Sequence, residues 1–120
     1  NGIMLSIAAG MAESMNAQAV VLGNHLDDYG TYPDCRKTFI EPMKAAICAG
    51  TDTKIELLSP FANLNKTEIA NIGQILGVPY ALTYTCYKGA DKHCGLCGSC
   101  FARIQAFKNA GIADPSDYQK

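Results

Sequence analysis

Cys86, Cys94, Cys97 and Cys100 fall close together in the segment Cys-Tyr-Lys-Gly-Ala-Asp-Lys-His-Cys-Gly-Leu-Cys-Gly-Ser-Cys. Two C-x-x-C units share Cys97. A C-x-x-C turn lets two thiolates converge on one ion, and Gly95 and Gly98 permit the tight backbone this needs. Cys86 can return across the intervening step to complete a tetrahedron. Four thiolates make a closed structural site, and zinc is the metal they suit best. A closed shell leaves no place for a reacting water, so no catalysis is assigned to it. An iron–sulfur cluster is the rival. Ferredoxin runs carry a downstream cysteine followed by proline, whereas here the fourth cysteine lies upstream. His93 adjoins Cys94 and is expected at the surface.

A second polar group follows an apolar run. Ala19 to Gly23 reads as a buried parallel strand, and Gly23-Asn-His25-Leu-Asp27-Asp28 comes directly after it. Ligands in open α/β sheets bind at the carboxyl ends of strands. A histidine and two carboxylates there can hold Mg²⁺ or orient phosphates; the plain alternative is a solvated turn. Tyr32, Pro33, Asp34, Cys35 and Arg36 come next. Arg36 can clamp a carboxylate or phosphate, Tyr32 can stack on a planar ring, and Asp34 can accept from a guanine-like edge. Cys35 is expected to line a pocket rather than attack. Lys66 opens a capped helix, where helix N-termini attract phosphate. No residue is assigned as catalytic.

The elements that position these groups alternate. Met4, Ile7, Ala8, Met11 and Met15 recur at helical spacing. Residues 24–36 read as loop, 38–49 as helix and 54–58 as a second strand. Asn65 and Glu68 form a capping-box pattern ahead of Ile69, Ile72, Ile75 and Leu76, and Gly77 with Val78-Pro79 stops that helix. Residues 84–99 are irregular, 101–110 form a last helix closed by Gly111, and the tail from Ala113 is expected to be loose. Helices alternating with strands mean an α/β fold with a parallel sheet. Two strands are few for that class, which suits a piece of something longer. The expected division is residues 1–83 as α/β domain and 84–120 as metal loop with terminal helix.

The 120 residues carry a net charge of -1 and 48% apolar residues, enough for a real core. No basic stripe points to nucleic acid, no apolar run reaches membrane-spanning length, and no export signal is visible. Cysteines clustered in a chain with its own core fit a reducing cytoplasm better than a disulfide scaffold.

The strings Tyr32-Pro-Asp-Cys-Arg36, Lys66-Thr-Glu68 and Thr85-Cys86-Tyr87, with Cys94-Gly-Leu-Cys97-Gly-Ser-Cys100, together resemble the 7-cyano-7-deazaguanine synthase family of queuosine and archaeosine biosynthesis. The resemblance runs over nearly the whole chain. It implies an adenine-nucleotide α-hydrolase-like, Rossmann-like parallel sheet with a C-terminal four-cysteine zinc site. It also implies a carbon–nitrogen ligase that turns 7-carboxy-7-deazaguanine, ammonia and ATP, with Mg²⁺, into the nitrile. The family's zinc cysteines match Cys86, Cys94, Cys97 and Cys100, and its substrate loop matches Tyr32 to Arg36. Gly23, His25, Asp27 and Asp28 look like the ATP and magnesium turn of related pyrophosphatases. The family's Ser-Gly-Gly-x-Asp-Ser nucleotide loop does not occur in these residues. The chain is therefore expected to be a C-terminal half, inactive by itself. An exposed half-sheet favours a homodimer. The alternative is a non-enzymatic zinc module for nucleic acid or protein.

Overall fold

The computed structural model of the chain describes residues 1–119, in two compact units, one of Asn1–Leu64 and one beginning at Asn65.

The first unit contains α1 (Gly2–Ser14), β1 (Ala19–Val21), α2 (Lys37–Gly50) and β2 (Glu56–Leu58). The strands pair in parallel, with Ala19 opposite Glu56 and Val21 opposite Leu58. The expected parallel α/β pairing is present, although both strands are shorter than the sequence pattern indicates. Lys54 adopts a positive φ of 60°, which turns the chain just before β2 can begin. Leu5, Ala9 and Ala12 from α1 meet Ile40 and Ile47 from α2 and Ile55 and Leu57 at β2. Thr51 ties this core to the end of α2: its Oγ1 donates to Ile47 O (2.9 Å) and accepts from Ile55 N (3.0 Å).

Helix α1 forms where the apolar period places it, but the buried stripe is Leu5, Ala9 and Ala12. Met4, Ile7, Met11 and Met15 form a second stripe that faces solvent, and Val21 and Leu58 are exposed as well. The small side chains win the inner face because they allow the helix to sit close to its neighbours.

The second unit contains α3 (Lys66–Ile75) and α4 (Gly98–Ala110), which pack on each other. The capping box of α3 is complete. Glu68 N donates to Asn65 Oδ1 (3.0 Å) and Asn65 N donates to Glu68 Oε2 (2.8 Å). Gly77 ends the helix at φ +70°, and Gly111 ends α4 at φ +68°.

The expected apolar face of α3 needs correction. Ile75 and Leu76 are exposed, at 83% and 74%, and the buried positions are Ala70 and Gly73. The reason is Tyr80, whose hydroxyl donates to Ala70 O (2.8 Å) and whose ring packs edge-on against Phe107. A β-carbon on Gly73 would fall on the Tyr80 hydroxyl and stand 2.9 Å from Tyr80 Cζ. The tail as far as Gln119 is not loose either; Lys120 lies outside the described residues. Asp117 and His93 are joined by a 2.9 Å backbone bond, His93 O accepts from Gln119 N (2.7 Å), and Tyr118 forms a bridge with His93.

Gly73→Ala should destabilise the second unit by about 1–3 kcal/mol, because overpacking displaces a ring that is hydrogen-bonded in place. Urea unfolding followed by tyrosine fluorescence would measure this. Tyr80→Phe in the same chain should restore part of the loss by removing the clashing oxygen.

Candidate metal centre and binding loop

The four cysteines expected to share one ion are brought together. Their sulfurs all lie within 4.8 Å of one another. Cys94 Sγ and Cys100 Sγ are 3.9 Å apart, far beyond the ~2.05 Å of a disulfide. All six cysteines of the chain are free thiols. Cys86, Cys94 and Cys100 are buried and Cys97 is partly so.

The loop has little regular structure because its amides are directed at sulfur. Cys86 Sγ accepts from Lys88 N (3.4 Å) and Cys94 N (3.3 Å). Cys94 Sγ accepts from Leu96 N (3.4 Å) and Cys97 N (3.3 Å). Cys97 caps α4, its sulfur accepting from Cys100 N (3.5 Å). Helix α4 therefore starts at Gly98, three residues before the expected Phe101, and its first turn carries Cys100. Gly95, at φ +71°, makes the turn between two ligands.

These amides act on the thiols. Backbone donors from Cys100 and Tyr87 pull Cys97 down to about 6. The amides of Cys94 and Lys88 lower Cys86. Burial, reinforced by a hydrogen bond with Cys97, pushes Cys100 up to about 12. Cys97 and Cys86 are thereby readied to ionise while the buried Cys100 resists, and thiolates this close around one centre repel one another. A divalent or higher cation at that centre relieves the repulsion, so the donor set fits a metal ion.

His93 is buried, at 5% exposure, which corrects the surface expectation. Its Nε2 accepts from Thr85 N (3.1 Å), and its ring lies between those of Tyr84 (4.6 Å) and Tyr118 (5.4 Å). It braces the loop through these contacts and is not part of the four-cysteine group. Tyr118 packs against the cysteines, and its hydroxyl donates to Asp114 Oδ2 (2.6 Å). Burial and that carboxylate push Tyr118 up to about 12. Burial raises Asp114 too, but hydrogen bonds from Tyr118, Ser116 and Arg103 outweigh it and leave the carboxyl lowered. Arg103 also reaches Thr83 Oγ1 (2.7 Å) and Tyr80 O (3.2 Å). Sequence reasoning missed Arg103, Asp114 and Tyr118. The available signal was an arginine inside the last helix and an acid shortly after it.

In the first unit, the polar residues gather beyond the end of β1. Gly23 is exposed, and Leu26–Asp28 is a 3-10 turn. His25 Nε2 stands 3.2 Å from Asp28 Oδ2, while His25 Nδ1 is buried without a hydrogen-bond partner. Asp27 lies exposed in the same turn. Asp28 O accepts from Tyr32 N (2.8 Å), which joins this turn to the next, Pro33–Cys35. Tyr32 and Arg36 are exposed. Arg36 Nε donates to Tyr29 O (2.7 Å), so its two terminal nitrogens remain for another acceptor. Asp34 lies half-buried in this turn, where the Asn1 side-chain amide donates to its backbone carbonyl (3.1 Å). Cys35 is buried, and burial raises its thiol although the Asn1 side chain partly offsets this. That is the opposite of an activated nucleophile. Lys66 is half-buried at the first turn of α3 in the second unit.

The shifts fix a pH dependence for the metal-free chain. The folded Cys97 thiol sits near 6, below its unfolded value, so its contribution is present above the unfolded value and lost as pH falls through about 6. After chelation, the denaturation midpoint should rise between pH 6 and 8. Iodoacetamide at pH 7 should label Cys97 and spare Cys100, as read by peptide mass spectrometry.

No helix among the described residues is long and apolar enough to cross a membrane. A family model described as "Queuosine biosynthesis protein QueC" matches residues 1–111. The chain is 47% identical over 119 residues to the 7-cyano-7-deazaguanine synthase of Porphyromonas gingivalis, covering 99% of this chain and 54% of that protein. It is 45% identical to the synthase of Caldicellulosiruptor saccharolyticus over 119 residues, 99% of this chain and 53% of that one. It is 43% identical to the synthase of Methanoculleus marisnigri over 122 residues, 100% of this chain and 55% of that one. The chain spans about half the length of the curated relatives it matches. By the extent of the family match, the chain belongs to the QueC family of queuosine biosynthesis proteins.

Proposed function

We propose that the chain is the C-terminal portion of an ATP-dependent 7-cyano-7-deazaguanine synthase, working in the cytoplasm on 7-carboxy-7-deazaguanine and ammonia. Near-half identity to named synthases along almost the whole chain carries this reading. Residues 1–83 contribute to a Rossmann-like ATP pyrophosphatase fold, and residues 84–120 form the metal loop and terminal helix.

The metal is zinc. Tetrahedral zinc with four thiolates at ~2.3 Å places sulfurs about 3.8 Å apart. The 3.9 Å between Cys94 and Cys100 agrees with that spacing. The ion binds Cys86, Cys94, Cys97 and Cys100 and supplies structure, not a reaction centre.

In the reaction, ATP activates the substrate carboxylate, ammonia displaces the nucleotide to give an amide, and a second activation removes its oxygen to leave the nitrile. The roles available to this chain are recognition and charge control. The exposed Tyr32 ring stacks on the deazaguanine. Asp34 accepts from the amino-pyrimidine edge. Arg36 offers its two terminal nitrogens to the carboxylate, because its Nε is already used. Pro33 fixes the turn and Cys35 packs beneath it. Gly23, His25, Asp27 and Asp28 face ATP and Mg²⁺, and the unpartnered His25 Nδ1 is a polar atom suited to a ligand contact. Lys66 serves a phosphate. The Ser-Gly-Gly-x-Asp-Ser loop is not among these residues, so no turnover is expected from them alone. Association into a homodimer remains part of the proposal, and the near-neutral charge disfavours nucleic acid as partner.

Elemental analysis of the purified chain should find one zinc per chain in a colourless sample; a brown sample with iron would replace zinc by an iron–sulfur cluster. Titration calorimetry with 7-carboxy-7-deazaguanine should detect binding that Tyr32→Ala weakens about tenfold, roughly 1.4 kcal/mol. No binding at millimolar ligand, together with tight RNA or DNA binding, would favour a zinc module instead.

A further inference from the structure

We propose that Asn24 is a positioning residue, whose buried side-chain amide holds the Tyr32–Arg36 loop against the carboxyl ends of β1 and β2 and so sets affinity for the substrate. This rests on the substrate class proposed above.

Asn24 follows β1 almost directly and is 3% exposed. A polar side chain buried so completely must have its hydrogen bonds met, and both ends of this amide are used. Nδ2 donates to Cys35 O at 2.9 Å. Oδ1 accepts from the hydroxyl of Ser59, the residue after β2. One side chain thereby joins three segments that are far apart in sequence: the exit of β1, the exit of β2 and the Pro33–Cys35 turn. Asn24 and Ser59 also line a cleft of about 200 Å³ with Tyr29, Lys37 and Lys44. The cleft lies where the strands end, beside the loop.

Asn1 also reaches the turn, its Nδ2 donating to Asp34 O (3.1 Å) and Cys35 Sγ (3.4 Å), but it ties the turn to the start of α1 and not to the strand ends; the remaining bonds set the turn's own shape. Cys35 N donates to Tyr32 O, and Arg36 N to Pro33 O, both within the turn itself. Arg36 Nε reaches Tyr29 O, still within the same connecting segment. The Asn24 amide instead fastens the turn to the strand ends. Its two halves are not interchangeable: a donor must face Cys35 O and an acceptor must face the Ser59 hydroxyl. Aspartate has the same shape and keeps the acceptor, but it presents a carboxylate oxygen to the Cys35 carbonyl. The turn must then move away or the carboxyl must hold a proton.

Asn24→Asp tests the assignment on the zinc-loaded chain. Cys35 is buried and Cys48 is exposed, so native alkylation read by mass spectrometry has an internal reference. Cys35 labelling relative to Cys48 should rise about tenfold, and the dissociation constant for 7-carboxy-7-deazaguanine should rise about tenfold, with zinc content unchanged. Ser59→Ala releases only the acceptor end and should give a smaller change in the same direction. A folded Asn24→Asp chain with wild-type labelling and affinity overturns the proposal. So does a variant in which amide exchange quickens equally throughout the first unit, because the residue is then only a stabiliser. If Asn24→Asp fails to fold, Ser59→Ala with unchanged labelling has the same force. If the wild-type chain does not bind the ligand, the substrate reading fails, whereas increased Cys35 labelling in Asn24→Asp still establishes the brace.

Discussion

Four sulfurs held within 4.8 Å of one another impose the strongest electrostatic demand in this chain. Two unit charges about 4 Å apart repel by ~4 kcal/mol even at an effective dielectric constant of 20. Backbone amides draw Cys97 down to about 6 while burial drives Cys100 up to about 12, so the four thiols cannot all ionise alike without a counter-charge. A cation turns the liability into an attraction. The loop is built for this outcome, since its amides point at sulfur and would otherwise be paired with one another in helix or sheet. Helix α4 depends on the same arrangement, because Cys97 supplies its cap and Cys100 lies in its first turn.

Around that centre the second unit relies on a ring of neutral and charged contacts. Arg103 sits over the Phe107 ring at 4.7 Å while pairing with Asp114 through a two-oxygen contact at 3.1 Å. An ion pair with both side chains largely buried is costly unless every donor is used. Here the guanidinium also binds Thr83 and Tyr80, and the carboxylate also binds Tyr118 and Ser116. In the first unit the comparable role falls to uncharged groups: Asn24 bridges the Cys35 carbonyl and the Ser59 hydroxyl, and Thr51 bridges two backbone groups.

Features set by neighbours in sequence were legible beforehand. The cysteine spacing, the Asn65–Glu68 box and the glycine stops at Gly77 and Gly111 depend on geometry spanning a few residues. Parallel strands were also readable, because AVVLG and its partner lie on either side of a helical period. What could not be read was which side of each helix faces inward. The long apolar side chains of α1 and α3 drew attention, yet apart from Leu5 the buried positions are the small Ala9, Ala12, Ala70 and Gly73, chosen by how closely other elements approach. His93, Tyr118 and Asn24 were misread or overlooked for the same reason. Each owes its burial to a partner many residues away. In the polar loop, charge was the visible signal, and the uncharged Asn24 beside His25 carried none.

The N–H to sulfur pattern has a consequence for how this segment can drift during evolution. Lys88 and Leu96 serve the centre through their main chains alone, and the Leu96 side chain is almost wholly in solvent. Selection on the metal centre is therefore nearly blind to what those side chains are. It is sharply alert to one residue, proline, which has no amide hydrogen to give. Relatives can diverge freely at positions 88 and 96, among the ligands themselves, and keep the same centre.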